Sequence, residues 1–479
     1  MSEDVETIAN STVKKVSQLN IDTDKIYTPS YKYHRIYQMS GGTNVDITTA
    51  GGEQSVFEIP PQVFNLARSY LCFTAQASDD PEANYRYVAF KDCMTFIQKI
   101  EFYTQSNAHI DEINYVPEFT KLIWKPETSY AEYNNFPLFD DGVYFGQMLA
   151  KSNAQRANNL RPSSLGELDD SSPSNISYVE PEYVELATDT NQEPLWNIKF
   201  PLGMLYYSLA SLDKDIYFNE TFYMRITWSA SIKTMYIYSS LQGPPAGTIN
   251  RITAPQEIKP TAEGVSIRNL YLYIAQETNE NAIALVKNSV LRDKFSVYCP
   301  SVDASKLNTG AVADSSQVMI RYGSSKGQRL CKILWAYFAQ NNVTKFTYET
   351  DVTGDGKIIR FHTELNDSKI QDYDLEIANH DHYFFQKDRL EGSIILSENM
   401  YSYNFAWIDS FMTSLPYHQE RKMIYNTELG IPTGLEDLRY SIVVPAQASP
   451  GGNGSQWNVF IYGIFQKTLR IGPGYVMMA

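Results

Sequence analysis

Phe222 to Ser229 reads FYMRITWS, and the alternation in it decides the fold class. Phe222, Met224, Ile226 and Trp228 fall on one side of an extended chain; Tyr223, Arg225 and Thr227 fall on the other. Successive side chains of a strand point to opposite faces, so a period of two predicts one core face and one wet face. The pattern returns in NLYLYIA, where Leu270, Leu272 and Ile274 oppose Tyr271 and Tyr273. It returns again in NVFIYGIFQKTLRI, with Val459, Ile461, Phe465, Leu469 and Ile471 as the apolar set. From Val56 onward, runs rich in Tyr, Phe, Ile and Val predict strand after strand. Tyrosines on the second face suit a surface that packs against something else, because the ring buries area while the hydroxyl keeps a polar partner. Helical spacing is short and rare, clearest at residues 118 to 124 and 418 to 424.

Length and charge narrow the classes further. At 479 residues with 43% hydrophobic and 13% aromatic content, the chain has apolar surface for more than one core and too much for disorder. Forty Lys and Arg against 55 Asp and Glu leave a net charge of −15. That balance speaks against a sequence-independent nucleic-acid binder, which needs clustered cations to displace counterions. No run approaches the ~20 apolar residues that span a bilayer. The start, MSEDVETIANSTVKK, lacks the basic-then-apolar order of a signal peptide, so folding in a reducing compartment is expected. Cys72, Cys93, Cys299 and Cys331 form no CxxC pair and read as buried free thiols.

Punctuation in the sequence suggests four parts. Residues 1–52 read as an N-terminal arm, with Val5, Ile8, Val16 and Leu19 as a possible apolar stripe for contact with its own or a neighbouring subunit. Residues 238–264 hold seven Pro and Gly in 27 positions, against 47 in the whole chain, and read as a linker. It would separate a β domain at 53–237 from another at 265–479, each large enough to bury roughly 70% of its unfolded surface. Within the first, residues 162–198 contain no Lys or Arg but eight acids: Glu167, Asp169, Asp170, Glu180, Glu182, Glu185, Asp189 and Glu193. Such a loop is costly to desolvate and is expected to face water.

Catalytic patterns are weak. Asp351-Val-Thr-Gly-Asp355-Gly356 begins like an EF-hand loop, but position 12 is His362 where a Glu is needed, and alternating flanks favour a hairpin turn over a cation site. His380 and His382 would share a strand face without an identifiable third ligand. There is no GxSxG, HExxH or Walker A motif. A β-sandwich glycosidase needs only two of the 55 carboxylates, and no spacing singles out a pair. No catalytic, cofactor-binding or metal residues are therefore assigned, and no cofactor is expected.

Several stretches, taken in order, carry a resemblance. FEIPPQVFNLARSYLCFTAQA (57–77) resembles a first core strand with its Pro turn. MTFIQKIEFYTQSNAHIDEINYVPEFTKL (94–122) resembles the following strand, polar turn and short helix. IKFPLGMLYYSLASLDKDIYFNETFYMRITWS (198–229) resembles a Pro-Leu-Gly segment and closing strand. GQRLCKILWAYFAQN (327–341) and NVFIYGIFQKTLRIGPG (458–474) resemble an inner strand and the carboxy-terminal strand. The family so resembled is the double jelly-roll major capsid proteins of icosahedral double-stranded DNA viruses, nearest the virophage and polinton-like group and more distantly adenovirus hexon. The resemblance implies an all-β fold of two tandem eight-stranded jelly rolls with an N-terminal arm and short accessory helices. It also implies a non-enzymatic homotrimer that tiles an icosahedral shell around a DNA genome, without sequence-specific nucleic-acid binding. Neighbouring capsomers, penton and minor or cement proteins would be its partners, and the virion, assembled inside the host cell, its location. The competing expectation is a non-capsid β-sandwich protein that binds a receptor or glycan.

Overall fold

The computed structural model describes residues 30–39, 42–48, 50–77, 87–89, 96–129, 131–132, 143–144, 147–148, 183–185, 195–230, 236–238, 265–312, 317–324, 329–339, 360–376, 381–393, 407–433, 438–445 and 455–478. Sixteen of the described strands form two sets of eight. The first set is β1 (Tyr31–Ile36), β2 (Gln54–Ile59), β3 (Val63–Ala77), β4 (Ile97–Thr104), β5 (His109–Asn114), β6 (Leu195–Pro201), β7 (Phe222–Trp228) and β8 (Val265–Glu277). The second is β9 (Phe295–Val312), β10 (Val318–Ser324), β11 (Arg329–Ala339), β12 (Arg360–Leu365), β13 (Ser368–Lys369), β14 (Trp407–Ser410), β15 (Leu438–Val444) and β16 (Ser455–Gly472).

In the first set one sheet runs β1-β8-β3-β6 and the other β2-β7-β4-β5. The second repeats that order as β9-β16-β11-β14 and β10-β15-β12-β13. First pairs with eighth, second with seventh, third with sixth and fourth with fifth, which is a long antiparallel hairpin wound into a sandwich: a jelly roll. The chain folds as two of them in tandem. Alternation places the residues as expected: Phe222, Met224, Ile226 and Trp228 are buried, and the residues between them are half-buried.

The domain boundary differs from the expectation. β8 follows the Pro/Gly stretch yet pairs with β1 and β3, so the first roll extends to Glu277 and residues 238–264 fall between its seventh and eighth strands. A jelly roll is complete only when its last strand returns between the first and third. Pro and Gly density reports local punctuation and cannot tell a long loop from a boundary. The rolls are joined instead by residues 278–294, which carry α1 (Glu280–Leu291). That helix starts at Asn279, whose side chain accepts from the backbone N–H groups of Asn281 and Ala282. Sequence reading missed this helix.

The arm is likewise shorter than 1–52. Tyr31–Ile36 is the first roll's opening strand, and Val45–Ile47 also pairs with β8. Val5, Ile8, Val16 and Leu19 lie outside the described residues, as do residues 239–264 of the Pro/Gly stretch. The helices expected near 118–124 and 418–424 are present as α2 (Val116–Glu127) and α4 (Tyr417–Met423). His382, expected on a strand, sits instead in α3 (Asp381–Gln386); His380 and the turn at 351–356 lie outside the described residues.

The second roll encloses its own core of Ile320, Tyr322, Ile333, Trp335, Phe361, Trp407, Tyr440 and Ile442, among others. The first roll's core is continuous with the contact between the rolls. β16 shows why. Val459, Ile461 and Phe465 face the second roll's interior, while Phe460, Tyr462 and Ile464 on the opposite face are buried with residues of the first roll. The second face of this strand packs against another part of the chain, as its tyrosine suggested, so neither face is wet over this stretch.

Candidate functional site

Two features stand out chemically: a sealed junction between the rolls, and two aromatic surfaces that stay open. The junction is built on the outer face of the β9-β16-β11-β14 sheet, against α2 and β5 of the first roll. Tyr115 meets Phe460 edge-on at 5.4 Å between ring centroids, and Phe119 of α2 lies 5.1 Å from Tyr462. The Tyr462 hydroxyl donates to the Tyr115 carbonyl at 3.1 Å.

Asp111 on β5 spans the junction. It accepts from the Leu209 backbone N–H at 2.8 Å and from Ser301 Oγ of the second roll at 3.0 Å. Burial raises its carboxyl to about 6, with these hydrogen bonds opposing the shift. Between pH 6 and 4 the folded protein then binds a proton that the unfolded chain does not. Stability is expected to rise as pH falls through that window, by up to about 3 kcal/mol from this group. Urea unfolding at pH 7 and pH 5 should show this component in the wild type and lose it in Asp111→Asn; equal pH dependence in both proteins would refute it.

The contact between the rolls also holds a cluster of buried charges. The side chains of Lys332, Glu127 and Glu420 are fully sealed. Lys332 Nζ pairs with Glu127 Oε1, approaches Glu420 Oε2 at 3.3 Å, and donates to the Tyr207 hydroxyl at 2.8 Å. Tyr207 donates in turn to Glu127 at 3.0 Å. Glu420 also pairs with Arg389 and accepts from Ser410 Oγ and from Thr413. Arg421 of α4 donates to the Glu127 carbonyl at 3.1 Å and to both Glu132 oxygens at 2.9 Å. Burial would raise Glu132, yet Arg421, the Ser129 N–H and Lys422 hold it down at about 2. A lysine between two glutamates has the composition of an acid–base site. Here each charge is taken up by a neighbour inside the protein, and the arrangement welds α2 of one roll to β11 and α4 of the other.

Other nucleophile and metal candidates are similarly occupied. Burial pushes the Cys72 thiol to about 11 and Cys331 to about 12, and holds Cys299 well above the usual thiol range, so all three are protonated at neutral pH. Glu101, His109 and Glu112 form the one group of three potential metal ligands among the described residues. Lys99 Nζ already bridges the two glutamates at 3.0 Å each, and Arg225 lies 3.6 Å from Glu101. His362 is held between Asp374 at 2.7 Å and Glu364 at 3.2 Å.

The first open surface is the outer face of the β1-β8-β3-β6 sheet. Tyr33 lies between Tyr70 and Tyr273, its ring tilted to both at 5.9 Å between centroids, and Arg35 lies over the rings of Tyr271 and Tyr273 at 4.9 and 5.4 Å. Tyr33 and Tyr37 are 42% and 51% exposed, far more than tyrosines kept for a core. The second surface is on the second roll, around α3, where Tyr373, Phe384 and Phe385 are 53%, 59% and 46% exposed. Tyr373 and Phe385 stand at a cavity of about 350 Å³ whose lining also includes Gln386, Arg389, Asp409 and Tyr417. Gln386 is buried there, and its Oε1 has no hydrogen-bond partner.

Of the acidic loop residues, Glu185 is described only as backbone, in the strand Tyr183–Glu185 that pairs with Tyr87–Ala89. Glu167, Asp169, Asp170, Glu180, Glu182, Asp189 and Glu193 lie outside the described residues. The junction residues went unassigned at the level of sequence. One signal was available: Lys332 sits in RLCKILWAYFA, a lone cation in an otherwise apolar strand interior, which calls for a buried partner.

No protein-family profile and no curated protein matches this chain. Solved structures do. A chain of the Sputnik virophage structure solved by cryo-microscopy matches at 9% identity and TM-score 0.48, over 95% of this chain and 88% of that one. The mavirus major capsid protein matches at 10% identity and TM-score 0.47, over 95% and 90%. PBCV-1 VP54 matches at 11% identity and TM-score 0.44, over 94% and 97%. At these identities and TM-scores the likeness carries no argument, and the functional reading rests on the chain's own geometry.

Proposed function

We propose that this chain is a major capsid protein, three copies of which form a pseudo-hexagonal capsomer that tiles an icosahedral shell. The observation that carries the reading is the complete jelly roll occurring twice in one chain, with identical strand order and a sealed contact between the copies. Two such blocks locked together make a rigid two-lobed unit, and three units offer six lobes, which suits a hexagonal lattice. The buried charges support work by rigidity, since each is spent on holding the lobes in register and not on a reaction. Neighbouring capsomers, penton and cement proteins are the partners this reading calls for, in the virion, with Val5, Ile8, Val16 and Leu19 of the arm tying capsomers together.

Light scattering on the purified chain tests the reading. The expected mass is that of three chains, and cryo-microscopy of assembled material should show closed shells. A single-chain mass at concentrations of tens of micromolar would overturn it.

A further inference from the structure

The cavity beside α3 carries polar groups that the protein itself does not satisfy. It lies along β14, the edge strand of the β9-β16-β11-β14 sheet, between α3 and residues 370–373. An edge strand leaves backbone groups open. The Ile408 carbonyl of β14 accepts from Gln386 Nε2 at 3.4 Å and from the Tyr417 hydroxyl at 3.3 Å. The Gln386 amide nitrogen is thereby committed, and its Oε1 is buried without a partner. Arg389 Nε is buried and likewise unpartnered, although the rest of that guanidinium pairs with Glu420 and donates to the Thr413 carbonyl. An acceptor and a donor left unmade in this way cost free energy that a ligand can recover.

The two deficits are of opposite kind, and that decides the ligand. An ammonium only donates, so it leaves the Arg389 N–H unmet. A phosphate or carboxylate only accepts, so it leaves Gln386 Oε1 unmet, and it would face Asp372 and Asp409 in the same lining. A hydroxyl does both. The charge of Arg389 is already taken by Glu420, so a neutral ligand rich in hydroxyls fits best. Tyr373 and Phe385 line the same cavity and are exposed, with ring centroids 5.6 Å apart and planes at 62°. Such rings offer an apolar platform to the C–H face of a pyranose. A volume of about 350 Å³ is at the small end for organic ligands. We infer that this cavity binds a neutral mono- or disaccharide unit. Gln386 Oε1 accepts from one hydroxyl, Arg389 Nε donates to another, and the sugar ring lies on Phe385 and Tyr373. The wall is set in advance: Gln371 accepts from Thr363 and donates to Asp409, which also accepts from Tyr440. Little reordering then opposes binding. The site needs only one roll of one chain and goes beyond the capsomer reading.

Saturation-transfer difference NMR on the full chain tests it. The probes are glucose, galactose, mannose, N-acetylglucosamine and lactose, each as free sugar and as methyl glycoside. At least one should bind with a Kd of about 10 mM or tighter. A glycoside that binds better than its free sugar marks a glycan-linked ligand, and the reverse order marks a free sugar. Phe385→Ala, at an exposed position, should weaken binding about three- to tenfold. Gln386→Met, with circular dichroism to check the fold, should weaken it as well. Tetramethylammonium and inorganic phosphate should not compete. The inference is overturned if no probe binds, if Phe385→Ala and Tyr373→Ala both bind as the wild type does, or if tetramethylammonium or phosphate displaces the sugar. None of these results reads the number of chains in the particle, so failure here is separate from failure of the capsomer reading.

Discussion

Replacing Lys332 with Met should destabilise the fold by about 3–5 kcal/mol, the usual cost of removing one partner from a buried ion pair. Met fills the space of the lysine stem, so the loss comes from charge and not from a cavity. Without the ammonium, Glu127 and Glu420 face each other with no exposure to water, and the Tyr207 hydroxyl keeps only Glu127. Burial already raises the Glu127 carboxyl against the pull of Lys332. In the variant that opposing pull is gone, so Glu127 should take up a proton more readily, and the deficit should shrink as pH is lowered from 8 toward 5. Adding Glu127→Gln should restore part of the loss by removing the unpaired charge. Urea unfolding at fixed chain concentration reads all three effects; a cost under about 1 kcal/mol for Lys332→Met would show that the cluster does not hold the rolls together.

Phe222→Ala should cost about 3–5 kcal/mol by the mechanism of large-to-small core substitutions, lost transfer energy plus a residual cavity. Phe222 stacks on Phe218 at 4.6 Å with rings 2° from parallel, and Phe102 and Phe64 lie within 5.9 Å of it. Three rings, from strands of both sheets and a connecting segment, pack around this position, so the surroundings cannot collapse into the gap cheaply. The neighbouring Tyr223→Ala is the control. Its ring is half-buried on the other face of β7, stacked on Tyr103 at 5.1 Å. It should cost about 1 kcal/mol or less, in the range of a cross-strand pair. Equal losses at the two positions would contradict the one-sided core of this sheet.

Much of the fold was legible because a half-buried strand writes its orientation into alternate residues. FYMRITWS and NLYLYIA place their apolar sets on the core face as read, and the two helices with clear periodicity form close to where expected. The reading failed where a residue's environment is set by a distant part of the chain. The Pro/Gly stretch looked like a boundary because local composition cannot reveal that Val265–Glu277 returns to pair with Tyr31–Ile36. Similarly, Tyr462 on the second face of β16 suited packing against something else, but only the tertiary structure shows that its partner there is Phe119 of α2. Asp111, Glu127 and Lys332 carried no motif, since their partners lie far along the chain: 98 and 190 residues away for Asp111, and 80 and 205 for Glu127, the latter being Lys332.

What the amino-acid order determined by itself is therefore local: the period-two burial pattern, the all-β class, the two short helices and the shortage of any motif for catalysis. Chain-wide pairing decided the rest. Where the first roll ends, which charges are sealed between the rolls, and which aromatic faces remain open all depend on contacts between residues far apart in sequence. Such contacts follow from closing a sandwich and stacking it on its copy, a geometry that no window of neighbouring residues encodes.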